Sequence, residues 1–143
     1  MIPVLDDVLG FVKSHPELFF PGGKPNGLTC ANYLVAEIMA LGGHDAAVRR
    51  TAGWWLVGSS TDWFGELEIV TLFHRLVPLP QLGPNTSRAE VIVMAYASNI
   101  ATIGPSGGRV VIAGAEPPPE IWAALATGHA RDLAFRFAAD PSL

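Results

Sequence analysis

One cysteine, Cys30, in 143 residues excludes a disulfide framework and a cysteine-rich metal site, and fits a reducing cytoplasm. Basic charge is scarce as well. Nine Lys and Arg stand against 13 Asp and Glu, and charged residues make up only 15 % of the chain. A surface that tracks phosphates is therefore absent, and no nucleic-acid partner is expected. No apolar run reaches the roughly 18 to 20 residues that span a bilayer. The first residues, MIPVLDDVLGFVKSH, contain no basic leader, so the protein is expected to be soluble, without a signal or membrane anchor. Paired histidines are missing too: His15, His44, His74 and His129 show no H-x-x-x-H spacing, so neither a metal nor a cofactor is expected. Ser59 and Ser60 lie in no G-x-S-x-G word, and Cys30 has no evident activator, which leaves no nucleophile.

What the chain does have is apolar residues, half of the total. That is enough to bury a sizeable core in a single domain spanning residues 1–143. Val4, Leu5, Val8, Phe11 and Val12 recur at helical spacing and predict a helix over 3–14, closed by His15-Pro16. Ala31, Leu34, Val35, Ile38 and Leu41 predict a second helix from Leu28, stopped by Gly42-Gly43. On that helix Glu37 is expected to face solvent. Residues 46–51 and 54–58 flank Ala52-Gly53 as a β-hairpin.

Leu67, Val70, Phe73, Leu76 and Val77 mark a third helix. Ser60 or Thr61 is expected to cap it, with Asp62 near its positive end. Ser87-Arg88-Ala89-Glu90 has the spacing of a capping box at the start of a fourth helix. Residues 99–103 and 109–113 form a second hairpin around Pro105-Ser106-Gly107-Gly108, a turn that lacks the Lys and following helix of a phosphate loop. A short helix over 120–126 leads to Leu133, Phe135 and Phe137, whose alternation describes one covered face of a strand over 131–138. The expected class is α+β: a two-layer sandwich with the helices on one face of a mixed, mostly antiparallel sheet.

Trp54 and Trp55 are adjacent on one predicted strand and so point to opposite faces. Beside Arg49 and Arg50, an exposed Trp has the composition of an interface centre. Arg49, Arg50, Trp54 and Trp55, with the proline-spaced segment 77–84, are therefore the expected interaction surface. The occupant is a protein partner or a second copy of the chain.

The order of local words resembles the N-terminal ATPase domain of the DNA gyrase B family, in the superfamily that includes histidine kinases and mismatch-repair ATPases. HPELFFPG, beginning at His15, resembles that family's R-P-G-M-Y-I-G loop. AEIMALGGHDAAV resembles its D-E-A-L-A-G helix end, and WWLVGSSTDWF lies where the family has V-x-D-x-G-x-G. LGPNTSRAEVIVMAYAS resembles the lid and following helix, while Thr127-Gly128-His129 with Leu133 to Phe137 resembles the T-G-T-x-V-x-F strand. The resemblance implies a gyrase-type sandwich from which the ATPase has been lost. At the family's E-x-x-x-N positions stand Thr29 and Tyr33, and a one-residue slip recruits Asn32 but leaves Leu28 as base. Neither Thr nor Leu can take a proton from water near neutral pH.

The expected function is thus a non-catalytic interaction or regulatory module of bacterial type. The alternative is a residual nucleotide or small-molecule binder using a vestigial pocket around Asn32, Asp62 and Thr127.

Overall fold

A computed structural model describes residues 7–125, 128–138 and 140. Helix α1 (Val8–Ser14) begins at Asp7, whose carboxylate accepts the Gly10 amide at 2.8 Å. Helix α2 (Gly27–Ala40) begins at Asn26, whose side-chain oxygen accepts the Thr29 amide at 2.8 Å. Each cap satisfies one of the amides that a first turn leaves without an intrahelical partner. At the far end of α2, Gly42 takes φ 92° and the Gly43 amide reaches back to the Ile38 carbonyl at 2.9 Å. That is the glycine stop expected for this helix.

Strands β1 (Ala47–Thr51) and β2 (Trp54–Ser59) form the first hairpin. Its turn, Ala52-Gly53, has φ of 49° and 84°, both positive as a two-residue turn matched to strand twist requires. Strands β3 (Asn99–Ile103) and β4 (Arg109–Ala113) form the second hairpin. Strand β5 (Arg131–Arg136) lies between the hairpins and joins them in the order β1-β2-β5-β3-β4. All four pairings are antiparallel, so the sheet is antiparallel throughout rather than mixed. The class is α+β.

Pleating sends alternate side chains to opposite faces. Trp55, Val57, Ile100, Leu133 and Phe135 point to the face covered by α2, α3 (Ile69–His74) and α4 (Glu90–Tyr96), with Phe137 in the same cluster. Leu133, Phe135 and Phe137 therefore share one covered face, as their spacing predicts. The opposite face differs from expectation. Trp54, Leu56, Ala101 and Ala134 are apolar there too, and α5 (Pro119–Leu125) covers them with Ile121, Trp122 and Leu125. A sheet apolar on both faces needs a helix on each, so the helices are not confined to one layer.

The third helix is also shorter than its apolar spacing predicts, starting at Ile69 and ending at His74. Ser60 and Thr61 do not cap it. Asp62 instead accepts the Phe64 amide at 3.2 Å, and Gly65 at φ 60° turns the chain away before the helix begins. The start of α2 is pinned from a distance: Asp140 accepts the Gly27 amide at 3.0 Å and the Trp55 indole N–H at 2.9 Å. A Cβ at Gly27 would stand 2.1 Å from Trp55 Nε1, so only glycine fits there. Among the described residues, no helix is long and apolar enough to cross a membrane.

Phe135 is fully buried at the centre of the sheet. Replacing it by Ala is expected to cost about 3 to 5 kcal/mol; a loss below about 1 kcal/mol in urea melts would remove it from the core.

Candidate functional site

Three charged side chains are buried together where α2, the loop after β2 and the start of α4 meet. Glu37, Arg88 and Glu90 are 1 %, 5 % and 0 % exposed. Charges this deep persist only when paired, because desolvation otherwise drives them to neutrality. Arg88 Nε lies 2.9 Å from Glu37 Oε2 and 3.7 Å from Glu90 Oε1, while its Nη2 donates to the Trp63 carbonyl at 2.8 Å. The Trp63 indole N–H donates to Glu90 Oε2 at 3.0 Å. Glu37 Oε1 accepts the Ala89 amide at 2.7 Å, at the N-cap of α4.

The capping box read at Ser87 and Glu90 is therefore corrected. Helix α4 starts at Glu90 itself, with Ala89 as N-cap and no side-chain cap from its own segment. Glu37, reaching across from α2, supplies the acceptor instead. Glu37 is thus buried rather than solvent-facing. The signal was present in its position: with Cys30, Leu34 and Leu41 it follows the 3- and 4-residue spacing of the buried stripe.

Backbone pairing holds Arg88 in place. The Arg88 amide donates to the Val77 carbonyl at 2.7 Å, the Leu79 amide to the Thr86 carbonyl at 2.8 Å, and Pro78 bridges to Ser87. The segment 76–89 is consequently a closed loop over α2. Between them is a cavity of about 280 Å³ whose wall includes Tyr33 and Glu37 from α2, Leu79, Leu82 and Arg88 from the loop, and Ile92 from α4. Its far rim carries Leu18, and the Tyr33 hydroxyl donates to the Phe19 carbonyl. A second, shallower cavity of about 300 Å³ is walled by Asp62, Trp63, Phe64 and Leu41, and Arg88 lines it as well.

Two carboxyl oxygens in this cluster, Glu37 Oε2 and Glu90 Oε1, receive no hydrogen bond from an N–H, because the Arg88 Nε–H is aligned on neither. Both face the same Arg88 nitrogen. Burial, together with hydrogen bonding and repulsion from Glu37, drives the Glu90 carboxyl well above its ordinary value; Arg88 opposes the shift without cancelling it.

The vestigial pocket expected from sequence is not assembled among the described residues. Asn32 is exposed on α2 and lines neither cavity, while Thr127 lies outside the described residues. Asp62 is occupied by Arg131, whose Nε and Nη2 donate to its two oxygens at 2.9 and 3.3 Å. The Arg131 guanidinium also lies 4.2 Å from the Phe64 ring centre. Of the expected interaction surface, Trp54 and Trp55 are only 5 % and 9 % exposed. Each is claimed by one side of the doubly covered sheet, which corrects the reading of an exposed Trp. The Arg50 guanidinium carbon lies over Trp55, 4.3 Å from the ring centre, and Arg49 Nη2 donates to the Ala124 carbonyl at 2.9 Å.

Two other polar groups have structural partners. Asp45 accepts from Ser60 and Ser59, and these bonds, led by the Ser60 hydroxyl, hold its carboxyl below the usual range. His129 Nδ1 lies 2.9 Å from Asp132 Oδ1. Burial pushes the Cys30 thiol far up, so it stays a thiol. Among the described residues, no group of three or more His, Cys, Asp or Glu side chains is placed to hold a metal ion.

A raised carboxyl in the folded state binds a proton that the unfolded chain has released, so stability is fully present at low pH and declines as pH rises. The decline begins near the ordinary value of 4.5 and continues through the raised folded one. Glu90→Gln, which imitates the protonated acid, is expected to flatten that slope and to raise stability at neutral pH. Urea melts across about pH 5 to 8 measure it; an unchanged slope in the variant would show that Glu90 does not hold the proton. No protein-family model, curated protein or solved structure matches the chain, so the reading of this site rests on its own geometry.

Proposed function

We propose that the protein is a non-catalytic interaction module whose working surface is the groove between α2 and the 76–89 loop. The observation that carries this reading is the rim. Leu18, Tyr33, Leu76 and Leu82 are 61 %, 36 %, 41 % and 46 % exposed, come from three separate segments, and all border the same cavity. Isolated exposed apolar residues need no explanation, but a convergent set around a concavity has the composition of a docking site. A cavity of about 280 Å³ takes one side chain of a partner as an anchor, the arrangement in which binding hot spots concentrate. The partner is a protein or peptide. The proline-spaced segment 77–84 belongs to this surface, whereas the β1–β2 hairpin does not.

The absence of catalysis rests on how the ionisable groups are engaged. Arg88 is held by two carboxyl groups and a carbonyl, Asp62 by Arg131, and Glu90 is sealed from solvent. The resemblance to gyrase-type ATPases adds a consistent point within this proposal, since Thr29 and Tyr33 stand where that family places its base and magnesium ligand. Calorimetry with ATP and magnesium is therefore expected to show no binding; micromolar heats abolished by Asn32→Ala would restore the nucleotide reading.

The groove itself is tested by selection from a random peptide library on the purified protein. Enriched peptides are expected to lose at least about tenfold in affinity, about 1.4 kcal/mol, on Leu82→Asp, and to bind Val70→Asp unchanged. Val70 is exposed and lies away from the cavity lining. Peptides indifferent to Leu82→Asp would place the working surface elsewhere.

A further inference from the structure

We infer that two copies of the chain pair through the outer edge of β4, extending the sheet across a two-fold axis at Val110. None of the residues involved lines the groove, so this inference is independent of the docking reading. Strand β4 ends the sheet, and no described strand pairs with its far edge. Arg109, Val110 and Val111 are exposed, the two valines at 40 % each. Adjacent residues on a strand point to opposite faces, so this edge is apolar on both. Edge strands of monomers are commonly blunted by lysine, proline or a covering element. The sequence RVVIA has neither lysine nor proline.

The ladder to β3 fixes which main-chain groups are free. The Gly104 amide donates to the Gly108 carbonyl at 3.2 Å, and bonded and non-bonded pairs alternate along an antiparallel ladder. Thr102 and Val110 are therefore a bonded pair, whereas Arg109 and Val111, opposite Ile103 and Ala101, turn their N–H and C=O outward. The register then shifts between the partners of Ala101 and Ile100, and such a bulge bends the strand beyond Val111. A two-fold that uses both outward residues is thus centred on Val110. It sets Arg109 against Val111 of the copy, each exchanging both main-chain bonds, and brings Val110 against Val110 in the close, non-bonded position at about 4.5 Å between Cα atoms.

Charge favours a second copy on this edge and opposes one on the other. The Arg109 guanidinium is turned back over Trp122 of its own chain, 5.1 Å from the ring centre, so the two copies' guanidiniums point away from the axis. Antiparallel pairing also sets the basic start of each strand beside the end of its copy, from which the chain leads on to exposed Glu116 and Glu120. On β1 the two-residue turn makes Thr51 and Trp54 a bonded pair and leaves Val48 and Arg50 facing outward. The two-fold that uses both is centred on Arg49 and would oppose two guanidiniums directly, which is destabilising.

Sedimentation of the wild type is expected to show a weak dimer, populated at about 1 mM protein. Hydrogen exchange is expected to slow at the Arg109 and Val111 amides as concentration rises, and to stay unchanged at Val110, whose amide is already bonded to β3. Val111→Pro removes only an outward donor, which an edge strand tolerates, and is expected to weaken the dimer at least about tenfold. Val110→Lys and Val110→Glu are each expected to be monomeric and, when mixed, to associate, because the axis brings the two residues face to face.

A wild type that stays monomeric at about 1 mM overturns the inference. So does a dimer that survives Val111→Pro and Val110→Lys, a mixture of the Lys and Glu variants that does not associate, or a dimer dissolved by Leu82→Asp, which would place the contact in the groove. Exchange at Arg109 and Val111 that ignores dimer formation overturns it without any substitution.

Discussion

A buried arginine between two carboxyl groups fastens three parts of the chain that the sheet alone would not hold in register. Glu37 comes from the last turns of α2, Trp63 from the loop leaving β2, and Arg88 with Glu90 from the start of α4. Each contact fixes another. The carboxylate of Glu37 ends one helix's reach by capping the next, the Trp63 carbonyl holds the guanidinium, and its indole holds Glu90. Removing any one member would leave a buried charge or donor unpaired, which is the costly way to break such a network. The cavity is a by-product of the same arrangement, because a loop hung from Arg88 and from the Val77 and Leu79 backbone pairing cannot settle flat onto α2.

Much of the fold could be read from periodicity. The two hairpins, the glycine stop of α2 and the shared face of Leu133, Phe135 and Phe137 follow from local spacing and turn chemistry. What escaped was set by partners far away in sequence. Ser60 looks like a helix cap until Asp45 takes its hydroxyl, and Glu90 looks like half of a capping box until Trp63 and Arg88 turn it inward. Glu37 shows how a local signal can be overruled by residue type: its position lies on the buried stripe, but a carboxylate there reads as solvent-facing unless the buried arginine, 51 residues on in the sequence, is known. The site was illegible for that reason. Its members are separated in sequence and have no fixed spacing between them.

The adjacent tryptophans settle how many layers the domain has. With Trp55 under α2 and Trp54 on the other face, two large rings from one strand require cover on both sides. Their polar atoms are then divided: the Trp55 indole goes to Asp140, the residue that also receives the first amide of α2. An aromatic pair that in isolation has the composition of a binding surface is here part of two cores. Four exposed apolar side chains, Leu18, Tyr33, Leu76 and Leu82, border instead the concavity left by the loop after α3.

The position of β5 carries a consequence for how the chain reaches this state. It pairs with both β2 and β3 along most of their length, yet it comes after both hairpins in the sequence. Until it is made, each hairpin has an inner edge with unpaired amides and carbonyls beside exposed Trp, Leu and Ile side chains. Those are the features that invite intermolecular strand pairing. Closing the sheet must also wait for contacts between residues far apart in sequence, for which loop-closure entropy is lost before the contacts repay it. During synthesis the half-built sheet is therefore the dangerous species, and the central strand is the one that ends the danger.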